Sequence, residues 1–125
     1  MVEGQYVDTY KRDSHITQYS NYIALCVRWK PVKVYRDNNK MEKKTGKYIL
    51  DMDPNTIDEG YFGTNIHHAK SNGKTDLVGP YSAGCQVFGN VNDFNDFMKN
   101  IVDKQIDKIK CNKFTYTLLL EKDIE

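Results

Sequence analysis

The sequence predicts a mainly β, α+β fold, a single domain spanning residues 1–125. Three observations carry this. Several short runs rich in β-branched and aromatic residues are separated by turn chemistry. A single stretch has apolar residues at helical spacing. The length suits one domain, which can bury roughly two thirds of its unfolded surface in one core.

Residues 1–20 are polar and are read as an N-terminal segment without an apolar core. Asn21–Lys30 then reads as a strand, and Val32–Arg36 alternates apolar with basic residues, the mark of a half-exposed strand. Asp37-Asn38-Asn39-Lys40 is turn chemistry, because Asp and Asn bond their own backbone and tolerate left-handed conformations. Tyr48–Met52 is expected to be another short strand, ended by the Asp53-Pro54-Asn55 turn, so that these strands form an antiparallel meander. Tyr61–His67 is expected to be a strand that delivers His67 at its far end. From His68 to Tyr81 the chain is polar and carries Gly73, Gly79 and Pro80, so it reads as a loop. Loops of that length inside a compact domain are usually functional or disordered.

The helix is the clearest element. Apolar residues at 94, 97, 98, 101, 102, 106 and 109 form one stripe, giving a helix at about 91–109 before the last strand. Asn90 or Asn92 supplies the cap, and Asp93 and Asp96 suit the positive end of the helix dipole. Phe114–Leu120 closes the domain as a buried strand.

Composition removes several function classes. Eighteen basic residues face 17 acidic ones, a net charge of +1, and the lysines at 40–47 and 99–113 are interleaved with acids. That balance gives no basic stripe for phosphate, so no nucleic-acid partner is expected. No secretory signal and no apolar run of membrane-spanning length is found, so the chain is expected in the cytoplasm as synthesised. Action outside the cell would then need another export route. The three cysteines, Cys26, Cys85 and Cys111, match no zinc spacing. No metal and no cofactor is expected, and Cys26 and Cys111 read as packing residues or bystanders.

Cys85 is different. It sits in Ser82-Ala83-Gly84-Cys85-Gln86-Val87, downstream of the pair His67-His68. A thiol is a useful nucleophile only as thiolate, and a nearby imidazole is the usual means of producing one. Small residues before it let a carbonyl approach and leave backbone N–H groups for an oxyanion. Three other readings compete: zinc ligation by His67, His68 and Cys85, a plainly structural cysteine and histidine, and a redox cysteine. Adjacent residues on an extended chain diverge, which counts against the first, and a C-x-x-C is lacking for the last.

The order histidine before cysteine, with Asn65-Ile66-His67 followed by Ser82-Ala83-Gly84-Cys85, resembles the L,D-transpeptidase (YkuD-like) family, including its small phage- and prophage-encoded members. The resemblance covers about Tyr61 to Phe88. It implies a β-sandwich or barrel acting on peptidoglycan stem peptides, with Cys85 as nucleophile and His67 as its base. It also implies oxyanion support around Gly84 and a His68 carbonyl that orients His67. The chain departs from the family pattern at Ala83, where histidine is usual, and at Val87, where Arg or Asn is usual. Ser82, Gln86, Tyr81 and Tyr61 are the remaining candidates for substrate contact, although Gln86 stands one position early and should face the other side of a strand. The outcomes left open are transfer to a second stem peptide, hydrolysis, and a catalytically weak or inactive virion or cell-wall-binding module that keeps the fold.

Overall fold

In the computed structural model, residues 1–18, 20–36, 52–69 and 86–124 are described. They form a mainly β structure with one helical span and a curled, half-barrel sheet. The strands are β1 (Gly4–Ile16), β2 (Asn21–Val27), β3 (Val32–Tyr35), β4 (Ile57–Gly60), β5 (Ile66–His68), β6 (Gln86–Phe88) and β7 (Phe114–Leu118). Five of them make the main sheet in the order β6-β5-β2-β1-β7, and β3 and β4 form a separate two-stranded sheet.

The residues read as a polar N-terminal segment are in large part β1, an interior strand of the main sheet. It pairs antiparallel with β2 from Tyr10 to Ile16 and with β7 from Gly4 to Tyr10. Only Thr9, Tyr10 and His15 of this strand are buried, so alternation gives little warning of it. Ladder hydrogen bonds on both sides hold it instead. Asp8 adopts a left-handed φ of 49°, and the register with β7 shifts between Tyr6 and Tyr10. A bulge of this kind bends a strand and raises its twist. The sheet accordingly curls until β6 and β7, at its two ends, line one cavity of about 660 Å³ through Val87, Phe88, Phe114 and Tyr116.

The expected meander is replaced by other pairings. β2 lies between β1 and β5, whereas β3 pairs with β4, a strand the sequence reading missed. The strand expected over Tyr61–His67 is limited to β5, and residues 61–65 belong to no strand. His68, expected to open a loop, is the last residue of β5. Met52 is in no strand; the rest of the 48–52 stretch and the 37–40 turn lie outside the described residues. The turn at Asp53 is a short 3₁₀ segment, Pro54–Thr56, capped by the Asp53 carboxylate on the Asn55 N–H.

The expected helical span is present as α1 (Val91–Phe97), a π-helical stretch (Met98–Asp103) and α2 (Lys104–Ile109). Asn90 caps it, its side-chain oxygen accepting from the N–H groups of Asn92 and Asp93. Phe94, Met98 and Val102 of the stripe are buried in one core cluster with Leu25 and Tyr10 of the sheet. Arg12, opposite Leu25 in the ladder, pairs with Asp103 of the helix, which identifies the covered face of the sheet. β7 is alternately half-buried and exposed rather than buried throughout.

Candidate functional site

The site is assembled by four neighbouring strands, in the order β6-β5-β2-β1. β5 pairs with β2 through Leu25 and Ile66, and with β6 in parallel register: Ile66 with Gln86, His67 with Val87, His68 with Phe88. Gln86, the residue after Cys85 in the chain, donates its N–H to the Asn65 carbonyl at 3.1 Å. Cys85, Gly84, Ser82 and Tyr81 themselves lie outside the described residues.

His67 is 3% exposed. Its Nδ1 lies 2.7 Å from the carbonyl oxygen of His68. A carbonyl only accepts, so Nδ1 carries the proton and Nε2 holds the lone pair. This contact fixes the Nδ1 edge of the ring, so that Nε2 is the nitrogen left for any proton exchange.

All three histidines of the chain gather here, although the sequence reading gave a role only to two. His15 of β1 stacks on His67, with centroids 4.5 Å apart and 15° between planes. Tyr22 of β2 stacks on His68 at 4.1 Å and lies 5.3 Å from His15. Its hydroxyl also meets the backbone of His68, 3.3 Å from both the N–H and the carbonyl oxygen. Phe94 of the helix closes on Tyr22 and His68 edge-on. The adjacent histidines thus take separate ring partners, His67 on His15 and His68 on Tyr22, and the aromatic neighbours tie the His68 end of β5 to β2 and the helix.

Small size at one position makes the stack possible. Tyr22 stands opposite His15, and continuing the Leu25–Ile66 register by one residue sets Ala24 opposite His67. Ala24 is fully buried, and its methyl group leaves room for the two imidazoles to meet across β2.

Asn65, 6% exposed, completes the cluster. A short turn, closed by its own N–H on the Gly63 carbonyl, aims it inward. Its Oδ1 accepts from the Val27 N–H at 3.1 Å, and its Nδ2 lies 3.0 Å from Nδ1 of His15. Burial holds the His15 imidazole below its usual pKa, and the neighbouring His67, His68 and Arg28 push in the same direction.

The other candidates fall elsewhere. Gln86 shares the face of Ile66, and the three-pair register with β5 has no bulge to turn it toward His67. Val87 is the residue paired with His67. Tyr61 is exposed and donates its hydroxyl to the Trp29 carbonyl at 3.5 Å; among the described residues, the Tyr and Phe rings in contact with the histidines are Tyr22 and Phe94. Cys26 is fully buried and Cys111 half-buried. Among the described residues no group of three or more His, Cys, Asp or Glu is placed to hold a metal ion, and no helix is long and apolar enough to cross a membrane.

Sequence alone gave no signal for His15, a single polar residue in a polar stretch, and named Asn65 only as part of the Asn65-Ile66-His67 motif, with no role. Only the strand pairing brings His15 and the Asn65 side chain together beside His67. No protein-family model, no curated protein and no solved structure matches the chain.

Proposed function

We propose that the protein is a cysteine-dependent acyl transferase or peptidase of the L,D-transpeptidase kind, acting on peptidoglycan stem peptides, with Cys85 as nucleophile and His67 as base. One observation carries the reading: a buried histidine, held through Nδ1 by the carbonyl after it, sits on a strand paired in parallel with the strand that starts one residue after Cys85. The substrate class rests on the resemblance of Asn65-Ile66-His67 and Ser82-Ala83-Gly84-Cys85 to that family. The half-barrel with one long helical span is compatible with its sandwich or barrel.

In this mechanism Nε2 of His67 takes the Cys85 thiol proton, and the thiolate attacks the carbonyl that links the diamino acid to the terminal D-alanine. Backbone N–H groups about Gly84 and Cys85 stabilise the oxyanion. Collapse breaks the peptide bond, His67 gives its proton to the departing amine, and a thioester remains. The amine of a second stem peptide resolves it as a cross-link, or water resolves it as hydrolysis.

One observation favours the second reading, a weakly active or inactive module that binds the wall in a virion or prophage setting. The residue paired with His67 is the apolar Val87, where the family carries Arg or Asn to organise the site. Incubation with purified stem tetrapeptides, followed by mass spectrometry, separates the two. An acyl adduct on Cys85 with released D-alanine, both lost in Cys85→Ala, supports catalysis; wall binding without either supports the module.

A further inference from the structure

Asn65 has two hydrogen-bond partners whose chemistry fixes the state of a third group. The Val27 backbone N–H can only donate, so the amide oxygen of Asn65 must face it. The amide nitrogen then faces Nδ1 of His15 at 3.0 Å, and an N–H can only donate to an unprotonated ring nitrogen. His15 is therefore the neutral tautomer with its proton on Nε2. This ring, 7% exposed, lies flat against His67.

We propose that His15 is a positioning residue for His67: Asn65 holds it as a neutral, flat ring that fixes the plane of the base and does not compete for its proton. The inference rests on the reading of His67 as the base. The His68 carbonyl fixes one point of the His67 ring, Nδ1, and leaves rotation about that contact; a ring stacked on its face removes it. Neutrality matters because a cation stacked at 4.5 Å would oppose the imidazolium that must form on His67. The groups that face His15 are consistent with a neutral ring. His67 and His68 come from β5 and Tyr22 from β2, while Arg28, just after β2, adds positive charge. Asp13, on β1 itself, is engaged by Arg28 at 3.1 Å.

The test uses the full chain. Long-range ¹H–¹⁵N NMR of the histidine rings should show His15 protonated on Nε2 alone and neutral below pH 6.5, and Asn65→Asp should switch its proton to Nδ1. Peptide-resolved iodoacetamide labelling then reads the pH profile of Cys85. His15→Phe, which keeps a flat neutral ring, should retain the profile, and His15→Leu should slow labelling near neutral pH by about tenfold to a hundredfold, the scale of a misplaced catalytic group. A wild-type His15 protonated on Nδ1, or a His15→Leu profile equal to wild type, overturns the inference. A Cys85 rate indifferent to His67→Gln overturns the base assignment instead, and the role of His15 with it. Should His15→Leu fail to fold, the wild-type tautomer decides.

Discussion

The imidazoles of His15 and His67 stack across a strand that belongs to neither, with Ala24 of β2 beneath the gap between β1 and β5. A strand and its second neighbour are about 9.6 Å apart, twice the interstrand spacing, so such a contact needs two long side chains and a short one between them. The buried pair therefore depends on three residues, each from a different strand.

The first consequence concerns Ala24. It is fully buried, so added volume has nowhere to go. Ala24→Leu should destabilise the fold by about 1–3 kcal/mol through overpacking and separate the rings. Urea unfolding measures the loss, and the ring-nitrogen resonances of His15 and His67 report the separation. An unchanged midpoint would remove Ala24 from this account.

The second concerns acid. Burial holds His15 in the folded chain below the ordinary imidazole pKa of 6.5, whereas the unfolded chain protonates it normally. The unfolded state then binds more protons, so stability falls as pH drops below about 6.5 toward the folded pKa. Urea midpoints should decline between pH 7 and pH 5 in the wild type. The decline should be shallower in His15→Gln, whatever its absolute stability; equal slopes would place the acid sensitivity elsewhere.

The third concerns the thiol. If His67 is the base that activates Cys85, His67→Gln should lower acyl-enzyme formation by about 10²–10⁴-fold, the usual contribution of a positioned base. His68 offers its carbonyl rather than its ring to this geometry. His68→Gln keeps that carbonyl and should act mainly through lost stacking on Tyr22, with a far smaller effect. Single-turnover mass spectrometry of the adduct compares the two.

The fourth concerns the helix. Asn90 is the side-chain cap of α1, accepting from two backbone N–H groups. Asn90→Ala should cost about 1 kcal/mol, read by thermal or urea unfolding, and should leave Cys85 labelling in the folded state as it was.

Some of this was written in the chain itself. The helical stripe from Phe94 to Ile109 and its Asn90 cap are local patterns, repeated each turn, and the structure keeps their span. The apolar β-branched run at Asn21–Val27 fixed β2 for the same reason. His67 and Cys85 stood out because the chemistry of a thiol near an imidazole, in a turn of small residues, can be seen over a short stretch of sequence. Tertiary structure alone decided the rest. β1 is polar along most of its length and is a strand because partners on both sides satisfy its backbone, a property no window of its own sequence contains. The contacts of His15 with Asn65 and His67 exist only through the register of β1, β2 and β5, since hydrogen bonds and ring stacking act over a few ångströms of space, however far apart the residues lie along the chain.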